Sequence, residues 1–257
     1  MDPVRAAQEK RRTAGVEGAI AIMDINTLKP NQGKQINITT KDYGTYARYP
    51  VKTHVVVSGD SLEKIMDDYV RPYLQEGDMI FISEKIVAIS QGRAFDIDDI
   101  KPSKLAKVLC KFVYKSPYGI GLGSPWTMQL AIQDVGAPKI LFAAFCSAVT
   151  KPFGVRGVFY KIVGTKARAI DGPCEYTLPP YNHYAKLAPL DPDGVAKRLA
   201  KYTGCGVAVM DANDIGREVL GTSGGDVTVD KCKQIFDDNP LGQSSEQTPI
   251  AIVRKVQ

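Results

Sequence analysis

Two stretches of the chain place an acid where an apolar run stops. Val207-Ala-Val-Met210 leads straight into Asp211, with Asn213, Asp214 and Gly216 behind it. Ala169-Ile170 leads into Asp171, followed by Gly172 and Pro173. Carboxylates at the carboxyl ends of buried strands are well placed to hold a hard divalent cation, because such ions take oxygen donors. With polar groups near Gly242-Gln243, two such strand ends suffice for a metal–phosphate site. Taken singly, each acid also reads as a turn cap. The combination is what points to chemistry.

Other chemistries lack their residues. There is no G-x-x-x-x-G-K-[ST] and no strand–GxGxxG–helix unit with a following acid, so neither P-loop nor Rossmann binding is expected. The loop Gly119-Ile-Gly-Leu-Gly123 reads as a hinge or tight turn before a helix. The five cysteines, Cys110, Cys146, Cys174, Cys205 and Cys232, lie far apart without a C-x-x-C pair. That excludes a disulfide framework and a zinc knuckle and suits a reducing cytoplasm. His54 and His183 are the two histidines, which leaves little for a Cys–His nucleophile. With 33 basic and 28 acidic residues the net charge is +5, a mild excess that suits an anionic small molecule. The one basic run, Lys10-Arg11-Arg12, is short, and no aromatic-interleaved basic motif indicates nucleic acid. No apolar run approaches the length of a membrane span, and the charged start MDPVRAAQEKRR lacks the apolar core of a signal peptide, so no membrane partner is expected.

The elements that must position these acids are mixed. Residues 1–45 read as a tail and an extended arm, and residues 46–257 as the folded region. Tyr46 to Ser58 has strand composition. Asp60 is placed to cap a helix over Leu62, Ile65, Met66, Tyr69 and Val70, with Glu63 completing a capping box. Met79 to Ser83 and Ile86 to Ile89 read as two strands with a polar break, and Val155 to Val163 as another. Ser103 to Val113 has helical spacing, and Ser124-Pro125 opens a helix. Residues 139–149 suit either a buried strand or a helix. The Pro- and Tyr-rich stretch 171–192 is expected to be irregular. Asp191-Pro192 starts a helix that Gly204 closes; Gly206 to Met210 is a buried strand, Val229 to Asp238 a helix, and Pro249 to Val253 a last strand. Without strict βαβ alternation, the expected architecture is α+β, with sheets and helices in two lobes.

Several pieces then come in a familiar order. They are Gly77-Asp78 through Lys85 to Gln91-Gly92-Arg93, then Ala169-Ile-Asp171, Leu190-Asp191-Pro-Asp193-Gly194, Val209-Met-Asp211-Ala-Asn213, Pro240-Leu-Gly242-Gln243 and Pro249 to Arg254. In this order they resemble the coenzyme F(420)-0:L-glutamate ligases, the gamma-glutamyl ligase family, over about residues 50–257.

The resemblance implies an acid–amino acid ligase. Such an enzyme uses GTP or ATP and Mg²⁺ or Mn²⁺ to join L-glutamate to a carboxylate acceptor through an acyl phosphate. It also implies an intertwined homodimer. Asp171 and Asp211 match the family's metal-binding aspartates; Asp214 and Gln243 would complete the metal set. Lys85 and Arg93 would face phosphate or acceptor carboxylate as catalytic residues, and Lys85, Asn213 and Gly242 would contact the nucleotide. The chain departs from the pattern as a divergent member. Ala88-Ile89 replaces the family's Ser-Lys, Arg168-Ala169-Ile170 its Asn-Ala-Gly, Ala212 a Thr, and Gln243 a metal-binding Glu. A nucleotide-binding regulatory protein that kept the fold without turnover is the alternative.

Overall fold

The computed structural model describes residues 22–113, 121–155, 157–164, 167, 169–175, 177–213, 216–242 and 244–256. Among the described residues a 3₁₀ turn at Ile25–Thr27 precedes a hairpin, β1 (Asn37–Thr40) and β2 (Gly44–Val51). Helix α1 (Leu62–Ile65) continues as a π-turn to Val70 and a 3₁₀ turn to Tyr73. Strand β3 (Met79–Ser83) runs directly into α2 (Glu84–Ser90), and β4 (Ala94–Asp96) follows. A helical stretch comes next: α3 (Lys104–Leu109), α4 (Pro125–Val135), α5 (Ala137–Thr150) and α6 (Val158–Val163). Then come β5 (Tyr184–Lys186), α7 (Pro192–Thr203), β6 (Gly206–Asn213), β7 (Gly216–Thr222), α8 (Val229–Ile235) and β8 (Ile250–Lys255). The fold is α+β.

Six strands form the main sheet in the order β1-β2-β8-β3-β6-β7. Only β3 and β6 are parallel among its neighbours. Strand alternation divides the core between its two faces. Ile80, Ile82, Val207, Val209, Ile250 and Ile252 point toward α1, α2 and α7. Met79, Phe81, Ala208, Met210, Ala251 and Val253 point toward α8, where Phe81 meets Phe236 with ring centroids 5.4 Å apart. Burial on both faces explains why these strands read as unbroken apolar runs. A second core gathers Ala106, Met128, Ile140 and Val163 from α3 to α6 with Ala185 and Leu187 at the end of β5.

The chain corrects several expectations. Ile86 to Ile89 is helical, not a strand: Ser83 caps α2, and Ile86, Val87, Ala88 and Ile89 are all buried. A helix buried all round has no periodicity to read. Val158 to Val163 is also helical, set between Gly157 and Gly164, both with positive φ. Residues 139–149 fall within α5. The expected arm is partly sheet, since Asn37–Thr40 pairs with β2, and the irregular stretch 171–192 contains β5. Ser61, rather than Asp60, caps α1. Asp60 instead accepts from Val57 N at 2.8 Å and contacts His54 Nε2 at 2.9 Å. Strand β6 does not end at Met210 but continues to Asn213, and Asp211 lies opposite Glu218 of β7.

Candidate active site

The register of β3 and β6 builds the site. Ser83 pairs with Met210 where β3 ends, so the next residues, Glu84 and Asp211 of the continuing β6, lie at the same level. Glu84 opens α2, where an acid is favoured by the helix dipole. The Ser83 hydroxyl accepts from Lys85 N at 3.3 Å, which fixes the turn from strand to helix. The third acid comes from outside the sheet. Asp171 N donates to Lys186 O at 2.9 Å and Lys186 N to Asp171 O at 2.8 Å, an isolated bridge that holds the two residues face to face. Lys85 Nζ then lies 3.5 Å from Asp171 Oδ2. Glu84, Asp171, Asp211, Lys85 and Lys186 thus form one charged cluster.

Its electrostatics follow from burial and like charge. Burial, then Asp211 and Asp171, push the Glu84 carboxyl well above the usual carboxylate range, against the pull of Lys85 and Lys186. Burial and Asp171 push Asp211 up to about 6, with Lys85 opposing. Partial burial works against the charged form of Lys85, but Asp171, Glu84 and Asp211 outweigh it and raise its pKa. Lys186, buried with 4% of its surface exposed, moves the other way. Burial lowers it, and the nearby Asp171 does not fully compensate. Two buried acids that resist full negative charge, with Asp171 close by, are a donor set that a hard dication would relieve. The three carboxylates are not gathered to mutual coordination distance, and Lys85 stands against one of them. Among the described residues, such a gathered trio is Asp96, Asp98 and His183 on the surface.

Beside the cluster lies an open cleft of about 140 Å³. Lys85, Lys186 and Ser83 line one side, and Gly242, Glu246 and Gln247 also line it. The three acids are not among its lining residues and reach it through the two lysines. Gly242 has φ 77°, and a Cβ there would come 2.5 Å from the Glu246 carboxyl carbon, so the loop needs glycine at this position.

The candidate residues therefore separate. Lys85, Asp171 and Asp211 come together, and Gly242 reaches the same cleft as Lys85. Asn213 lies two residues beyond Asp211 on β6. Asp214 and Gln243 lie outside the described residues. Arg93 is engaged elsewhere. Its Nε donates to Ala188 O at 2.6 Å and its guanidinium bonds Asp134 Oδ1 at 2.7 Å, with both side chains nearly buried. It joins the second core to the stretch after β5.

Glu84 and Lys186 were not read from the sequence. Glu84 had a signal: it is the first acid after the apolar run Met79–Ile82, as Asp211 is after Val207–Met210. Lys186 had none beyond being a cation among the apolar residues of Ala185 to Ala188.

The remaining motif residues dock the pieces onto one another. The Gln91 amide donates to Leu190 O at 2.9 Å and accepts from Leu190 N at 2.7 Å. Asp191 caps α7 by accepting from Gly194 N at 3.0 Å. Asp78, almost fully buried, takes two hydrogen bonds from Arg254 at 2.8 and 2.7 Å. A family model described as F420-0:Gamma-glutamyl ligase matches residues 50–219, a stretch that contains all five members of the charged cluster. No curated protein matches the chain.

Proposed function

Because the chain belongs to the F420-0:gamma-glutamyl ligase family, whose model spans about two thirds of it, we propose that it is an NTP-dependent ligase forming a gamma-glutamyl amide on a carboxylate acceptor. The single observation that carries this reading is the cluster of Glu84, Asp171 and Asp211 joined through Lys85 and Lys186 to an open cleft. Acids to hold a cation and cations to meet phosphate stand side by side, as phosphoryl transfer to a carboxylate requires.

A carboxylate is a poor electrophile because its leaving group would be oxide. In the proposed reaction an acceptor oxygen attacks the terminal phosphorus of GTP or ATP, the bond to the bridging oxygen breaks, and the nucleoside diphosphate leaves. The amino nitrogen of glutamate then attacks the acyl carbon, loses a proton, and inorganic phosphate departs with the electrons of the carbon–oxygen bond. The new amide is a gamma-glutamyl one where the activated carboxylate is the γ-carboxyl of a glutamyl group on the acceptor. Glu84, Asp171 and Asp211 would hold Mg²⁺ or Mn²⁺, which supplies charge neutralisation at phosphate oxygens. Lys85, kept protonated by its acidic neighbours, orients anionic groups in the cleft. Lys186 adds a second basic group on the same wall. Gly242 lines the same cleft, where its positive φ and the close Glu246 carboxyl require glycine.

Calorimetry with GTP and ATP, each with Mg²⁺ and with chelator, tests the binding half. Heat that requires the cation is expected, and equal or absent heats in all four titrations overturn it. Phosphate release with glutamate and a panel of carboxylic acids tests turnover, with Lys85→Ala expected to reduce it about 100-fold or more. Cation-dependent binding with no phosphate release for any acceptor would favour the nucleotide-binding regulatory protein instead.

A further inference from the structure

Helix α5 turns an entirely apolar strip to the outside. Ile140 and Ala143 bury one side of it in the second core. Leu141, Phe145, Ala148 and Val149 recur at i, i+4, i+7 and i+8 on the other side, with Phe142 beside them, and all are exposed. Phe145 has 67% of its surface exposed, and Phe153, just beyond the helix, 81%. Lone exposed apolar residues need no explanation, but a contiguous aromatic strip does.

The charge along this segment of sequence has one sign. From Val135 to Ile170 the chain carries Lys139, Lys151, Arg156, Lys161, Lys166 and Arg168 and no Asp or Glu. That stretch holds more positive charge than the chain's whole net of +5. Lys139 and Lys151 bracket the strip, Lys161 stands on α6 packed against α5, and all three are exposed. A second copy of the same face would set these cations against one another across a twofold contact. An anionic lipid surface would meet both features, taking the aromatics into the acyl boundary and the lysines at the headgroups.

We propose that the α5 face docks the protein on anionic lipid bilayers. This is contact with a surface, not a span: no single described helix is long and apolar enough to cross, and α4 and the α5 segment, apolar enough together, are bent by 116°. The helix lies in the interface with its axis along the membrane plane. The proposal is independent of the ligase reading, since none of these residues lines the cleft.

Co-sedimentation of the full chain with vesicles tests it. One set is phosphatidylcholine alone, the other phosphatidylcholine and phosphatidylglycerol in equal parts. Binding to the anionic set alone is expected, weakened by salt. The double variant Phe142→Ser/Phe145→Ser and the triple variant Lys139→Glu/Lys151→Glu/Lys161→Glu should each bind at least about tenfold more weakly. These side chains are exposed, and unchanged circular dichroism would show that the variants fold. Equal binding to both vesicle types, no binding to either, or variants that bind as the wild type does would overturn the proposal. If the wild type ignores vesicles and the Phe variant alone changes from dimer to monomer in light scattering, the face belongs to a second copy.

Discussion

Asp211 sits in the register position beyond Met210, beside the start of α2, where burial and Asp171 raise its pKa from 3.8 to about 6. An acid whose folded value is raised contributes stability below its unfolded value and loses it as pH rises through the folded one. In chelator, the wild type should therefore lose stability between about pH 4 and pH 7, and Asp211→Asn should lose less. At about pH 8 the metal-free variant should melt no lower than the wild type, because a buried charge facing other acids has been removed. With Mg²⁺ present, the same change should lower nucleotide turnover about 100-fold or more. Thermal melts across pH and a phosphate-release assay measure the two halves. A metal-free variant that unfolds readily would return Asp211 to the role of a structural cap.

The elements around the site are held by polar clamps between segments distant in sequence. Arg93, at the end of the α2 turn, is bound to Asp134 of α4 and to the carbonyl of Ala188. Breaking one side of such a nearly buried pair leaves an uncompensated charge and typically destabilises by about 3–5 kcal/mol. Arg93→Gln should show this loss in urea denaturation. Arg93→Met combined with Asp134→Leu should recover most of it, because neither charge is then stranded. Turnover per folded molecule should change little in either variant. A folded Arg93→Gln protein with turnover reduced more than about tenfold would put Arg93 in contact with substrate. Gln91 clamps the other end of the same turn to Leu190, so α2 and the segment leading to α7 are set together. The motif pieces that carry the family resemblance are in good part these fasteners.

Across the whole molecule, the sheet depends on strands outside the matched region. The family model ends at residue 219, yet β8 lies between β2 and β3 in the sheet, and Arg254 on it satisfies the buried Asp78. A chain cut to residues 50–219 exposes the β3 edge and strands that carboxylate, so it should show no cooperative unfolding transition by circular dichroism. The opposite end is tied in similarly. Arg48 on β2, 1% exposed, binds Asp238 beyond α8 and donates to Ile235 O at 3.1 Å and Gln35 O at 2.9 Å. Burial pushes the Asp238 carboxyl up, but the Arg48 pair outweighs this and holds it below the usual aspartate range. A depressed acid adds stability above its unfolded pKa and loses it as pH falls through the folded one. Asp238→Asn should thus cost about 1 kcal/mol at neutral pH, a modest figure because water reaches the half-exposed carboxylate, and the difference should vanish in acid. Urea midpoints at neutral and acid pH measure it.

The strands Met79–Ser83, Gly206–Met210 and Pro249–Val253, the helix after Asp191-Pro192 and the mixed α+β class were legible in the sequence, because local burial pattern and capping chemistry specify them. The helices α2 and α6 were not, since a short helix that is largely buried, or one set between glycines, carries no readable period. Of the candidate site, Asp171, Asp211 and Lys85 could be singled out by residue type, apolar flanks and family resemblance. Their meeting could not, because it depends on the parallel register that levels Glu84 with Asp211 and on the bridge that sets Asp171 against Lys186. Although β6 runs on past Asp211 and Asp171 lies outside the strands, the sequence alone determined which apolar segments lead into acids. Only the tertiary structure decided that Glu84 and Lys186 join them and that Arg93 turns away to Asp134, because pairing across the chain is set by strand register and packing, which no local pattern contains.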